Sequence, residues 1–568
     1  MAERKHEVIR LTHPGHGRFR AKATPKGRQV DPRALDEVGA LLGDAPRRRD
    51  LLIEHLHRIQ DTYGALAATH LVALAHEMRL ALAEVYETAS FYAHFDIVLE
   101  ENAAQPAVTV RVCDSVACAI AGADSLREAL TRTLGQRARV VRAPCIGACD
   151  HAPAVAVGHA TLNKATEAAV ADAVAKRATH PVLPSYRTLD SYLRDGGYAL
   201  LKAVRAGTRA AEQVIDALDQ SGLRGLGGAG FPSGRKWRLV REQKAPRMFA
   251  VNADEGEPGT FKDRWLLETE PHRVLEGMLV AGEIVGIAET YIYLRDEYPA
   301  AREILLREIA ALERAGLIAA GTVHIRRGAG AYICGEESAM LESIEGKKGW
   351  PRHKPPYPAE VGLFGRPTLI HNVETLYWVR DIVEKGAAWF AGQGRNGRKG
   401  VRAFSVSGRV REPGVKIAPA GITTRQLIDE FCGGMAPGHT LKAFLPGGAS
   451  GGILPAALAD EPLDFGTLEK HGCFVGSAAV VVFGQTDSTA DVAANLMRFF
   501  EDESCGQCTP CRIGCEKAVQ LMSRPKWDTG LLTELARTMA DASICGLGQA
   551  APNGLMSVLK FFPDDVPR

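Results

Sequence analysis

Gly222-Leu223-Arg224-Gly225-Leu226-Gly227-Gly228-Ala229-Gly230-Phe231-Pro232-Ser233-Gly234-Arg235-Lys236-Trp237 is the stretch on which the reading of this chain turns. Glycines at 225, 227, 228, 230 and 234 free the backbone for positive φ and let a ligand lie against bare amides. Arg235 and Lys236 follow at once, supplying the cations that a phosphate needs. The stretch reads as a phosphate cradle. Gly225, Gly227 and Gly230 also fit Gly-x-Gly-x-x-Gly, but that fingerprint follows a strand in dinucleotide folds, whereas Ala211 to Leu218 reads as an amphipathic helix. A mobile glycine loop is the competing account of the run taken alone.

Working outward, further loops bring chemistry close to strand ends. Met248 to Val251 is a short buried strand running into Asn252-Ala253-Asp254-Glu255-Gly256-Glu257, continuing to Asp263. Three carboxylates so close together repel unless donors satisfy them, and ribose hydroxyls, flavin N–H groups or a metal such as magnesium are the candidates; a solvated acidic turn is the alternative. Strands at Tyr291 to Leu294 and Val323 to Ile325 flank a charged helix from Ala300 to Arg314, and the second opens into Gly328 to Ser338, which carries Glu336 and Glu337. Pro351 to Pro358, with Arg352, His353, Lys354 and Tyr357, is too proline-rich for regular structure and offers cations beside an aromatic face to a nucleotide.

The 568 residues allow roughly three to five compact units. Lys+Arg 69 against Asp+Glu 67 gives a net charge of +2, which argues against general nucleic-acid or charged-membrane binding. The N-terminus shows neither a signal-type apolar core nor a twin arginine before one, and no apolar run has spanning length, so a soluble cytoplasmic protein is expected. Residues 1–30 read as a basic arm and 31–106 as a helical bundle. His180 to Pro184, with two prolines, marks a boundary.

Twelve cysteines are too few for a disulfide scaffold in so long a chain, and their clustering points to metal or redox chemistry. Cys113, Cys118, Cys145 and Cys149 lie on two loops after strands, a set that suits a two-iron cluster, with structural zinc as the alternative. Cys505, Cys508 and Cys511 share one tight turn, which with a distant fourth thiolate is cubane logic. Cys334, Cys432 and Cys473 read as small buried hydrophobes.

Residues 107–180, with both cysteine pairs and the Glu84 to Phe95 helix, resemble the thioredoxin-like ferredoxin that accompanies the flavoprotein of respiratory complex I. That resemblance implies a [2Fe-2S] cluster on Cys113, Cys118, Cys145 and Cys149. The glycine stretch, Asn252 to Asp263, Gly328 to Ser338 and Pro367 to Thr375 together resemble the FMN- and NADH-binding subunit of complex I and of soluble NAD-linked hydrogenases and formate dehydrogenases. It implies a Rossmann-like FMN/NADH domain over 186–400, a β-grasp-like domain over 401–465 and a helical [4Fe-4S] domain over 466–568, a multidomain α/β architecture. The FMN phosphate would meet Gly225, Gly227, Gly228 and Lys236, with Asn252, Asp254, Glu255, Asn372 and Thr375 around the flavin. Phe231, Glu257, Glu337, Lys354 and Tyr357 would line the nicotinamide site, Glu257 and Glu337 being the candidate catalytic residues.

The same resemblance makes Cys545 the fourth cubane ligand and leaves Cys515 a spectator. Leu226 stands where an arginine is common, Tyr357 where phenylalanine is, and His371 where asparagine is. A turn rather than a second phosphate loop is expected at Leu445 to Gly452, and a helix at Thr424 to Phe431. Fusion of the two parts, with Leu445 to Pro455, most resembles the β (diaphorase) subunit of NAD-dependent molybdenum or tungsten formate dehydrogenase. The expected function is therefore NADH/NAD+ oxidoreduction through FMN, one [2Fe-2S] and one [4Fe-4S] cluster, with formate chemistry on a molybdopterin-containing large subunit and further iron-sulfur subunits as additional partners. The alternatives are the diaphorase of an NAD-reducing hydrogenase, a complex I subunit, or a zinc-stabilised nucleotide-binding module without turnover.

Overall fold

The computed structural model describes residues 27–99 and 108–568, so most of the expected basic arm lies outside the described residues. Helices Pro32–Leu42, Leu52–Tyr63, Ala68–Met78 and Leu82–Phe91 build the first part. Asp31 starts the first by accepting from the Arg33 and Ala34 amides, with Pro32 in the first turn, and Gly64 closes the second in the left-handed region. Their apolar faces form no separate core. Val38, Leu56 and Leu74 join Met340 and Leu341 from the middle of the chain and Leu496, Leu532 and Leu555 from its end in one continuous apolar cluster.

The next unit is a four-stranded sheet in the order Arg139–Ala143, Thr109–Cys113, Val155–Val157, Ala160–Leu162. The first pair is parallel, joined through helix Ala123–Leu134, and the other pairs are antiparallel. Cys113 ends the central strand, and Cys145 follows its parallel neighbour by two residues, which brings both cysteine loops to one end of the sheet.

A second sheet is wholly parallel, in the order Thr368–Asn372, Arg247–Ala253, Ile287–Leu294, Val323–Arg327. Helices Ser233–Arg241, Pro271–Val285 and Pro299–Arg314 contribute to the apolar core around it, which explains why its strands are apolar runs rather than alternations. The chain adds strands outward from Arg247–Ala253, then returns to that strand's other side with Thr368–Asn372. The order therefore reverses between these two, and Asn372, the last residue of the returning strand, pairs in register with Asn252, the last but one of its neighbour. Such a reversal opens a crevice beyond the carboxyl ends of the strands.

A mixed five-stranded sheet follows, with Val401–Gly408 and Ala479–Gly484 parallel at its centre. The expected helix at Thr424 to Phe431 is shorter: Thr424–Gln426, capped by Thr423, loosens into a π turn over Leu427–Phe431. Helices Thr489–Asp502, Thr509–Met522, Thr529–Ala542 and Asn553–Phe561 end the chain. Among the described residues no helix is long and apolar enough to cross a membrane.

One close approach joins the helix that follows Asn372 to its neighbour. Helix Pro271–Val285 crosses Val373–Tyr377 at Gly277, where an added Cβ would overlap the Leu376 carbonyl oxygen. Gly277→Ala is expected to lower the melting temperature through an overpacking cost of about 1–3 kcal/mol; differential scanning calorimetry checks it, and an unchanged transition would count against this contact.

Candidate functional site

A cleft of about 480 Å³ lies where the parallel sheet reverses. The glycine loop forms one wall. Gly225 N–H donates to the Phe231 carbonyl at 2.8 Å, and Gly230 N–H to the Gly225 carbonyl at 3.2 Å, so the loop folds back on itself. Gly228 and Gly230 have φ of +123° and +66°, and a Cβ at Gly227 would sit 3.0 Å from Asn372 Cβ. Lys236, in the first turn of Ser233–Arg241, donates from Nζ to the Ile370 carbonyl at 3.1 Å. Burial holds its pKa below the ordinary lysine value, so a bound anion would stabilise its charge.

The acidic loop forms the floor, and the protein itself answers the repulsion of two of its three carboxylates. Glu255 accepts from the Asp263 and Arg264 amides at 2.8 and 3.1 Å and from Tyr298 Oη at 2.9 Å; burial, then the Asp263 carboxylate, push it up to about 8. Glu257 accepts from the Ser450 amide and hydroxyl, both at 2.7 Å, and from Tyr332 Oη. Neither needs a ligand or magnesium as its only donor source, contrary to the expectation from sequence. Asp254 differs. Its Oδ2 is buried without a partner, and burial raises its pKa well above the carboxylate range.

At the mouth, Lys354 Nζ bridges Glu336 Oε1 at 2.9 Å and Glu337 Oε1 at 2.6 Å. Gly225, Gly227, Gly228, Phe231, Lys236, Asn252, Asp254, Glu255, Glu257, Glu337, Lys354 and Asn372 all line the cleft. Thr375 sits behind it, accepting the Leu226 amide on Oγ1 at 2.9 Å. Tyr357 stands outside, 56% exposed. Leu226 is buried, and His371 accepts from Trp237 Nε1 at 2.7 Å on Nε2, which leaves the proton on Nδ1, a buried donor without a partner.

Sequence reasoning missed Tyr332, Ser450 and the Phe474, Gly476, Ser477 segment, which close the far wall. Ser450 lies in the stretch read as a turn. The turn is real, with Gly448 and Gly452 at positive φ, but its serine also holds Glu257. Lys262 and Asp263 were visible in the acidic loop yet carried no role; Lys262 Nζ lies 2.7 Å from Asp263 and 3.1 Å from Glu374.

Both cysteine sets converge. Cys113, Cys118, Cys145 and Cys149 are buried, with Cys145 and Cys149 Sγ 3.3 Å apart, and thiol contacts to Cys118 and Cys145 push the Cys113 thiol well up. Cys505 and Cys508 precede helix Thr509–Met522, Cys511 lies in its first turn, and Cys545 caps Gly546–Ala550. Gly546 and Leu547 reach the cleft, so this cysteine loop borders it directly. Cys515 is buried one turn beyond Cys511, whose thiol its contact lowers to about 7.

The donor sets fit the cofactors expected from the resemblance. Four buried thiols suit an enclosed two-iron cluster, and three partly exposed thiols with the buried Cys511 on a tight turn suit a cubane. The side-chain-free loop, Lys236, the orphaned Asp254 oxygen and the unpartnered His371 Nδ1–H suit a flavin phosphate and its polar ring edge.

Comparison with known proteins gives three matches in order along the chain. Residues 38–178 match the thioredoxin-like [2Fe-2S] ferredoxin family, 218–381 the Nuo51 FMN-binding domain, and 491–568 the NADH-ubiquinone oxidoreductase-F iron-sulfur binding region. The chain is 42% identical over 396 residues to an NADH-quinone oxidoreductase subunit of Rhizobium meliloti (strain 1021), covering 67% of this chain and 94% of that protein. It is 40% identical over 378 residues to the mitochondrial NADH dehydrogenase [ubiquinone] flavoprotein 1 of Dictyostelium discoideum, covering 63% and 79%. A chain of an NAD+-reducing [NiFe]-hydrogenase in the air-oxidized state superposes with a TM-score of 0.80 at 31% identity, covering 92% of this chain and 94% of that one.

Lys236→Ala removes the cation at the end of the glycine loop. FMN affinity is expected to fall about 10- to 100-fold, the range for a charge-assisted hydrogen bond, as read by flavin content after gel filtration and by fluorescence titration; full retention would detach Lys236 from the phosphate.

Proposed function

Because the chain belongs to the NADH dehydrogenase flavoprotein 1 family, we propose that its cleft is where NAD(H) meets FMN and that electrons pass from there to a partner chain through the Cys505, Cys508, Cys511 and Cys545 cluster. The chain is an NAD-dependent flavin and iron-sulfur oxidoreductase subunit, with FMN, a [2Fe-2S] and a [4Fe-4S] cluster as its cofactors. FMN, when bound, supplies the conversion between the electron pair of a hydride and the single electrons that clusters accept.

The observation that carries the proposed route is that one cleft is bounded both by the glycine loop with Lys236 and by Gly546 and Leu547, which follow Cys545. In this reading Gly225, Gly227, Gly228 and Lys236 hold the phosphate, and Asn252, Asp254 and Asn372 face the flavin. Asn252 is fixed for this by donating from Nδ2 to the Gly335 carbonyl at 2.9 Å. Thr375 acts indirectly, by holding the Leu226 amide. Glu255 and Glu257, each accepting several protein hydrogen bonds, orient the floor rather than move protons. Phe231, Glu337 and Lys354 receive the nicotinamide nucleotide at the mouth, and Tyr357 serves outside the contact shell.

For the partner we favour a molybdopterin-containing large subunit that oxidises formate, supported by the fusion of the ferredoxin part to the flavoprotein and by the Leu445 to Pro455 segment. A hydrogenase partner is the second reading, supported by the near full-length likeness to the hydrogenase chain. Purification of the intact complex separates them. Formate-dependent NAD+ reduction with molybdenum or tungsten in the large subunit is expected; hydrogen-dependent reduction with nickel would replace this reading.

Lys354→Ala is expected to raise KM for NADH about 10-fold, the cost of one charged contact, while FMN content stays unchanged. Steady-state ferricyanide reduction measures it, and an unaltered KM would remove Lys354 from the nucleotide site.

A further inference from the structure

Arg295 follows the strand Ile287–Leu294 and is 5% exposed. Its guanidinium meets two loops of different origin. Nη2 donates to the carbonyl of Cys145 at 2.6 Å, and Nη1 donates to the carbonyl of Glu255 at 2.5 Å. Nε donates to Glu297 Oε2 at 3.1 Å, and the group lies 5.0 Å from the ring centroid of Tyr298, whose hydroxyl donates to Glu255 Oε2. Gly147, two residues beyond Cys145, packs so closely on Tyr298 that an added Cβ would overlap its ring. One planar cation thus joins a cysteine loop to the floor of the cleft, a geometry that only a fork of donors can span.

We propose that Arg295 is a positioning residue that raises the reduction potential of the cluster on Cys113, Cys118, Cys145 and Cys149 and holds that cluster against the flavin side of the cleft. The inference rests on those four cysteines being the ligands. Four thiolates give a two-iron cluster a net negative charge, and taking up one electron, which the reduced flavin loses, makes it more negative. A permanent cation in a low-dielectric site stabilises the reduced form. Hydrogen bonding around a ligand's backbone orients it and tunes its metal in the same direction. Arg295 keeps its proton throughout, so no proton transfer accompanies the electron at this residue. Glu297 offsets part of the charge, and removal of the guanidinium leaves that carboxylate unpaired, which adds to the effect.

The test is a redox titration of the full chain, followed by electron paramagnetic resonance, for the wild type, R295M and R295K. The two-iron signal is expected to shift to lower potential in R295M and by less in R295K, which keeps a charge but loses the fork, with FMN content retained and a smaller shift at the four-iron signal. Unchanged two-iron potentials in both variants overturn the proposal, as does an equal shift of both clusters, which would mark a global disturbance. Should R295M not load its clusters, R295K decides alone. Persistence of the two-iron signal in C145A would instead refute the ligand assignment.

Discussion

An ammonium group at 1% exposure is the constraint on which the rest of the cleft depends. Lys262 retains its charge there because Asp263 and Glu374 lie within ion-pair distance and Asn372 Oδ1 accepts at 3.4 Å. Asn372 in turn donates to Asp263, and Glu374 accepts the Ala403 amide at 2.7 Å from the neighbouring sheet. The knot therefore joins the acidic loop, the end of the returning strand and the five-stranded sheet. Such a buried set adds little net stability compared with apolar packing, yet loss of one member costs about 3–5 kcal/mol because a charge is left unanswered. What it provides is a fixed relation between Asn252, Asn372 and the glycine loop.

The two sets of thiols differ in their surroundings. The first set of thiols is enclosed between the ferredoxin sheet and the cleft floor, where Arg264 donates to the Gly147 carbonyl at 2.9 Å and Phe261 packs on Cys145 and Cys149. The second lies nearer the surface, where Trp350, 39% exposed, donates to the Cys505 carbonyl at 3.1 Å. An enclosed centre suits the holding of an electron, whereas a centre near solvent can hand one to another chain.

Local features were legible in the sequence and distant ones were not. The glycine stretch, the cysteine spacings and the apolar strands announce themselves because backbone freedom, ligand geometry and two-sided burial act within a few residues. Donors to the acidic loop come from Tyr298, Tyr332 and Ser450, up to 193 residues away, and nothing near Glu257 signals them. The motif around Thr375 points to the flavin, but the fold turns its hydroxyl to the Leu226 amide. Tyr357 shares a loop with Lys354 yet points elsewhere, since a proline-rich segment has no periodicity from which facing is read. The Thr424 to Phe431 helix loosens after three residues although its capping box is intact.

The apolar cluster that unites the first helices with the last has a consequence for how the chain is made. Leu52 and Leu56 share it with Leu555, Val558 and Val566, so the helices of 32–91 cannot close their core until residues about 500 positions later have been made. Contacts of such sequence separation are slow to form and expose apolar surface meanwhile. The parallel sheet between them turns one face, through Met248, Ala250, Tyr291, Tyr293 and Ile370, to this same cluster and the other to a core of its own. The cysteine turn at 505–511 packs against this cluster, so it gains its lasting surroundings only after residues 555–566 have joined it.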